Sequence, residues 1–161
     1  MLRITDQYFW NLFFLIFFLV LVVMGSIILE TEARIPLADL GLTDYVLITL
    51  ASWRLTRLFV YDVVTRWFRE QFWDVKKIGK GHRLEKPKTG PRRTLADLLD
   101  CPWCFGVWAT ATVVFFYLIT PYAVFPVIVL ALSSVATFLQ LVANMVGHKA
   151  EQLKNQNESI T

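Results

Sequence analysis

One segment constrains this chain before any other. Residues 8–29 read YFWNLFFLIFFLVLVVMGSIIL, with Asn11 the one strongly polar member. A helix of that length rises about 33 Å, enough to cross a hydrocarbon layer of about 30 Å. A cleaved signal peptide has an apolar region of only about 7–15 residues and ends at a small-residue cleavage site. Here the run is longer, and Glu-Thr-Glu-Ala follows it without an A-x-A pattern. The segment therefore reads as a retained signal anchor. The rest of the chain agrees with a membrane setting. Charged residues are 18% of its 161 residues, against about 25% in soluble domains, and the mean hydropathy is +0.51. This composition excludes a disordered chain, a collagen-like chain and a disulfide-rich secreted scaffold.

Charge is sorted along the chain. Residues 66–100 hold ten of the sixteen Lys and Arg and only five acids, whereas residues 30–44 hold four acids and one Arg. Basic loops stay on the cytoplasmic side of a membrane. The loop after the first span is thus expected outside, and the loop at 75–100 inside.

Two further spans are plain. Residues 102–120 carry no formal charge and stop at Pro121, and residues 127–146 run to Gly147. The PYAVFP turn between them makes the pair a helical hairpin, with Tyr122 at interface depth. Residues 45–65 are ambiguous, being apolar enough to span yet containing Arg54, Arg57 and Asp62. An arginine near a helix centre costs about 2.5–3.5 kcal/mol on insertion scales. The helical pattern continues beyond, with Val64, Trp67, Phe68 and Phe72 on one face and Asp62, Arg66, Arg69 and Glu70 on another. This helix either crosses and bends onto the cytoplasmic surface or lies in the interface. Four spans place both termini inside; three place the N-terminus outside. Four is the preferred count, because it lets the Arg face be buried against other helices.

Three groups of residues could carry chemistry. Arg54 and Arg57 share a helix face near Tyr61. They read either as a cationic site for a carboxylate, phosphate or lipid headgroup, or as anchors that snorkel or pair with Asp62, Asp97 or Asp100. Ser133, Thr137, Gln140 and Asn144 are spaced four, three and four apart and form a polar stripe on the last span. That stripe should meet another helix, and the Arg face of residues 45–65 is its natural partner. A polar transport pathway is the sharper and less common use.

The third group is Asp100-Cys101-Pro102-Trp103-Cys104. Asp100 fits an N-cap and Pro102 a first helical turn. Both thiols would then sit at a helix N-terminus at the cytoplasmic interface, where backbone N–H groups lower a thiol pKa. Three uses stay open. The cysteines pack while Trp103 and Trp108 anchor the helix; or they form a redox dithiol; or Cys101 and Cys104 bind zinc or another thiophilic metal. A closed zinc site needs four ligands, and His82 and His148 are poorly placed to supply the rest. In a reducing cytosol two free thiols are expected rather than a disulfide. Residues 75–93, VKKIGKGHRLEKPKTGPRR, read as a flexible basic loop that fixes topology and attracts anionic headgroups. They contain no P-loop order and too little organisation for nucleic-acid binding. No catalytic triad, HExxH or EF-hand spacing occurs.

LASWRLTRLFVYD at 50–62, followed by LLDCPWCFGVW at 98–108, resembles a group of small bacterial and phage membrane proteins catalogued as domain of unknown function 1360. Some of that group are linked to sporulation. The likeness covers about residues 45–146, with the N-terminal anchor as an addition. It implies a membrane protein without an established reaction and draws attention to Arg54, Arg57, Asp62, Cys101 and Cys104 as one cluster, to which Asp100 is adjacent.

The expected protein is an all-α integral membrane protein of four transmembrane helices, including a C-terminal helical hairpin, with a basic cytoplasmic loop. Residues 1–44 form the anchor and an acidic external loop. Residues 45–147 form the membrane domain, with the Arg-bearing helix at 45–74, the basic loop at 75–100 and the hairpin at 102–120 and 127–146. Residues 148–161 form a loose polar cytoplasmic tail. The expected role is non-enzymatic, in the bacterial or prophage envelope, through lipids, a membrane-protein partner or a second copy, with no cofactor and no nucleic acid. The alternative is a thiol-redox or metal-binding membrane protein.

Overall fold

A computed structural model describes residues 7–78 and 81–158 of the chain. Six helices and one small hairpin follow in order: α1 (Gln7–Glu32), α2 (Leu42–Val60), α3 (Arg66–Glu70), β1 (Asp74–Ile78), β2 (Gly81–Glu85), α4 (Pro91–Asp100), α5 (Pro102–Ile119) and α6 (Val124–Glu158). Among the described residues, three helical stretches are long and apolar enough to cross a membrane: Gln7–Glu32, Pro102–Ile119 and Pro121–Gln156.

The four long helices run side by side. α1 is parallel to α5. Phe18 meets Trp108 with ring centroids 4.7 Å apart, and the Arg34 N–H donates to the Leu118 carbonyl at 2.9 Å. α2 is antiparallel to α5 along its whole length. At one end the Tyr117 hydroxyl donates to Asp44 Oδ1 at 2.6 Å, and at the other Phe59 packs on Phe105 at 5.4 Å. Between these ends a β-carbon at Gly106 would lie 3.7 Å from Thr56 Oγ1, so that glycine keeps α2 and α5 close. α6 returns from α5 through a short turn at Pro121–Ala123 and runs parallel to α2.

The core lies where α2, α5 and α6 meet. Ile48, Ala51, Val113, Tyr117, Leu118 and Val127 are buried there. Ala51, Leu118 and Ser134 have no exposed surface. Two of those three are small residues, which let helix backbones approach closely where lipid supplies no hydrophobic drive to association. α1 buries no residue at all and rests on α5 through its aromatic side chains. Its single polar intruder, Asn11, is explained by α4. The Thr94 hydroxyl donates to Asn11 Oδ1 at 3.1 Å, and Gln7 Nε2 donates to both Asn11 Oδ1 and Thr94 Oγ1.

The structure departs from the sequence reading at four places. The fold is not purely helical, and the basic stretch after residue 74 is not a featureless loop. β1 and β2 pair antiparallel in the register Asp74↔Glu85 and Val75↔Leu84, with Lys76 bridged to Glu85. Neither DVKKI nor GHRLE alternates strictly between polar and apolar residues, so the sequence offered no strand period to read. The Arg-bearing helix does not continue through residue 74. It ends at Val60, a 3₁₀ turn covers Val63–Thr65, and α3 follows. The exposed C-terminal carbonyls of α2 are met from this turn: Thr65 Oγ1 donates to Leu58, and Arg69 Nη1 donates to Phe59 at 3.0 Å. Asp100 is not the cap of α5 but the last residue of α4. The tail is not loose from residue 148, since α6 passes Gly147 without a break and continues to Glu158; residues 159–161 lie outside the described residues.

Overpacking the three-helix seam tests this arrangement. Ala51→Leu should destabilise the protein in detergent by about 1–3 kcal/mol, because its side chain has no free volume to enter. Val46→Leu, on the outward face of the same helix, should leave the melting midpoint unchanged. Equal midpoints for both variants would refute the packing described.

Candidate functional site

The ion pairs among the described residues collect at one end of the bundle, where α2 finishes and α5 begins. Arg54 is drawn inward by two partners. Its Nη1 lies 2.9 Å from Asp62 Oδ2, and its Nε donates to Ser133 Oγ at 2.9 Å. Asp62 can reach back because the chain leaves helical geometry there, with φ −73° and ψ 147°. Both side chains are mostly covered, so each neutralises a charge that would otherwise be stranded among apolar helices. Arg57 lies one turn further along α2. Its guanidinium stands 5.7 Å from the Tyr61 ring, and its Nε is buried with no hydrogen-bond partner.

The polar stripe on α6 divides in two. Ser133 bonds Arg54, and Thr137 is half-buried with its hydroxyl donating to the Ser133 carbonyl. Gln140 and Asn144 are exposed and bond each other at 3.0 Å. The expected meeting of stripe and Arg face is therefore made by Ser133 alone among the described hydrogen bonds.

A second charged cluster lies beneath α5. Lys86 Nζ is 2.9 Å from Asp97 Oδ1 and 2.6 Å from Asp100 Oδ2, and it sits 5.6 Å from the Trp73 ring. Arg93 Nε also holds Asp97, at 2.8 Å. Arg92 reaches Asp74 and the carbonyls of Gln71 and Trp73. Burial alone would pull the Lys86 ammonium toward neutrality, but hydrogen bonds to Asp100 and Asp97 outweigh it and hold its pKa above the ordinary lysine value. Burial pushes Asp97 up, and hydrogen bonds from Lys86 and Arg93 bring it below the usual carboxylate value. The Arg93–Asp97 pair was readable as an i,i+4 spacing. Lys86 was not, because its partners are eleven and fourteen residues away across a hairpin-to-helix connection.

Cys101 and Cys104 form a disulfide. This corrects the expectation of two free thiols and, in this state, of a two-thiolate metal pair. The geometry explains it. Cys101 is the extended residue shared by the end of α4 and the start of α5, and Cys104 is in the first turn above it, with Cα atoms 5.2 Å apart. Cys101 Sγ takes the N-cap role expected of Asp100, accepting the Cys104 N–H at 3.2 Å. Asp100 is free to serve Lys86 instead. Trp103, between the cysteines, is 86% exposed. Among the described residues no three His, Cys, Asp or Glu side chains converge as a metal site; the His82 side chain lies outside them. Nor does any described hydrogen bond or ion pair link the cysteines and Asp100 to Arg54, Arg57 and Asp62. The expected single cluster is two neighbouring ones.

Removing one member of the covered ion pair tests its worth. Arg54→Leu leaves Asp62 without its partner and should cost about 2 kcal/mol, below the 3–5 kcal/mol of a fully buried pair because both groups retain some water. The double variant Arg54→Leu/Asp62→Leu should recover part of that loss. Thermal unfolding in detergent reads both, and a double variant no more stable than the single one would show that the pair is not coupled.

Comparison with known proteins bears on this region directly. A family profile described as "Protein of unknown function (DUF1360)" matches residues 47–143, from the first turns of α2 into α6. The UPF0713 protein YngL of Bacillus subtilis (strain 168) is 31% identical over 102 residues, covering 63% of this chain and 78% of its own length. Sporulation protein YjcA of the same organism is 32% identical over 106 residues, covering 62% of this chain and 89% of its own. Both are bacterial, and neither brings a phage setting with it. No solved structure matches the chain. The matched stretch holds both charged clusters and the cysteine pair and leaves α1 outside, so the chain belongs to the DUF1360 family, an uncharacterised family with a sporulation protein among its members.

Proposed function

We propose that this protein is a four-span membrane protein with both termini in the cytoplasm, acting without catalysis through contacts with lipids or other membrane proteins of the bacterial envelope. The observation that carries this reading is the pairing of α2 with α5 from end to end, Asp44 on Tyr117 and Phe59 on Phe105. If α5 crosses the bilayer, α2 crosses the same depth. The charges of α2 agree. Asp44 lies at its first turn and Arg57 near its last, and Arg54, the deepest, is neutralised by Asp62. The basic hairpin and α4 then face the cytoplasm and the acidic residues 30–44 face outward, in keeping with the charge rule for loops. The name of the relative YjcA, a sporulation protein, supports a role in a spore-forming cell.

Reporters active on one side of the membrane test the topology. Fusions at the N-terminus, within residues 35–40 and at the C-terminus should report inside, outside and inside. An external N-terminus with residues 35–40 inside would overturn the four-span arrangement.

A thiol-redox role is the second reading, favoured by the disulfide itself. Cytoplasmic disulfides are usually transient and catalytic or redox-sensing, and Cys104 is exposed beside the exposed Trp103. Zinc or another thiophilic metal belongs to the reduced form, in which two thiolates supply half of a four-ligand site. Alkylation of protein purified without reductant should modify neither cysteine, and after a dithiol reductant both. Two cysteines alkylated from the outset would remove the redox reading, and stoichiometric zinc in that same sample would replace it with the metal one.

A further inference from the structure

Among the described residues Arg57 has no counter-ion. We infer that Arg57, with the exposed apolar residues Val63, Val64 and Trp67, forms a binding site for an anionic phospholipid of the cytoplasmic leaflet. The arginine meets the phosphate, and the apolar side chains lie along the acyl chains.

The charge inventory is the first support. From Arg54 to Glu70 the chain carries four cations, Arg54, Arg57, Arg66 and Arg69, against two acids, Asp62 and Glu70. Both acids are occupied, Asp62 by Arg54 and Glu70 by Arg66 at 2.7 Å. Arg69 spends one N–H on the Phe59 carbonyl. Arg57 retains only the Tyr61 ring, and its buried Nε donates to nothing. Of the helices packed against α2, α4 carries Asp97 and Asp100, which are held by Lys86 and Arg93, and α5 and the membrane-length part of α6 offer no acid. α5 has no charged residue between 102 and 119, and α6 has none between 124 and 147. No acid among the described residues balances the surplus positive charge at this end of α2.

Depth and neighbours identify the class of molecule. Arg57 lies thirteen residues beyond Asp44, about 20 Å along the helix axis. With Asp44 at one face of the hydrocarbon layer, that places the guanidinium toward the opposite headgroup region. Immediately after α2, Val63 is 77% exposed, Val64 75% and Trp67 66%. A free anion gains nothing from such a surface. A phospholipid has both parts, a phosphate for the cation and chains for the apolar side chains. Trp67 is suited to this level, because its ring is apolar and its N–H can reach the headgroups. The inference rests on α2 spanning the membrane, but its test in detergent does not, so failure of one is distinguishable from failure of the other.

The full chain, purified in a neutral detergent, is titrated with phosphatidylglycerol, phosphatidylcholine or inorganic phosphate while its thermal unfolding is followed. Phosphatidylglycerol alone should raise the midpoint, saturably. Arg57→Gln should weaken that binding about fivefold to tenfold, the scale of one cation near an anionic lipid surface. Arg57→Lys should retain most of it. Arg92→Gln, which removes a cation bound to Asp74, should lower the starting midpoint but leave the phosphatidylglycerol-induced shift and its saturation unchanged. Val63→Ser/Trp67→Ser, which leaves every charge in place, should also weaken binding, and it serves where Arg57→Gln fails to fold. Phosphatidylcholine acting as strongly as phosphatidylglycerol would reduce the surface to an apolar one. Inorganic phosphate acting as strongly would make it a free-anion site. Either result, or an Arg57→Gln protein within about twofold of the parent, overturns the proposal.

Discussion

Arg54 reaches Asp62 and Ser133 from within an otherwise apolar bundle, and the position of α2 depends on that neutralisation. A lone guanidinium at this depth would favour a helix lying on the membrane surface. Paired with a carboxylate and a hydroxyl, it permits the helix to stand among its neighbours. The pairing has a structural cost that is visible in the chain. For Asp62 to face back toward Arg54, α2 must stop at Val60 and the next residues must turn. The 3₁₀ turn and α3 are thus consequences of the ion pair, and their own side chains then close the end of α2 by bonding the Leu58 and Phe59 carbonyls.

The same economy of charge shapes the segment between α3 and α5. Here the ion pairs of Lys76, Lys86, Arg92 and Arg93 each fix an element of the fold. Lys86, at the foot of β2, ties the hairpin to α4 through Asp97 and Asp100, and Arg92 ties α4 back to Asp74 on β1. Because Asp100 immediately precedes Cys101, the Lys86 contact also sets where α4 ends and α5 begins. The disulfide and the Cys101 cap then hold the first turn of α5. A segment rich in Lys and Arg becomes a folded cap of a helical bundle, with Thr94 and Asn11 joining it to the underside of α1.

How much of this was legible in the sequence follows from the range of each interaction. The long apolar helices were readable because length and lack of charge are local properties. The start of the Arg-bearing helix was found within three residues, but its end was set fourteen residues too far, because the turn at Asp62 has no local signal in an amphipathic pattern that continues past it. The link between Arg54 and the α6 stripe was foreseen in outline, because a polar stripe in an apolar helix demands a partner, although only Ser133 bonds it. The β-hairpin was not foreseen, because DVKKI and GHRLE have no strict alternation and lie among glycines and lysines that read as a charged loop. The role of Asp100 was misassigned for a related reason. An Asp before Pro is a good cap by local rules, and what displaced it was a lysine fourteen residues earlier. Tyr117 and Asp44 lie seventy-three residues apart, and nothing local connects them.

The contrast between the two arginines of α2 follows from their neighbours rather than from their chemistry. Arg54 and Arg57 are the same residue type on the same face, three positions apart. Arg54 sits where α6 presents Ser133 and where the chain can bend Asp62 toward it. Arg57 sits one turn nearer the end of α2, alongside a helix whose next stripe residues, Thr137, Gln140 and Asn144, bond within that helix and carry no charge. Neutral amides can solvate a cation but cannot balance it. The first arginine is therefore a structural member of the bundle, and the second keeps a positive charge that no acid among the described residues balances.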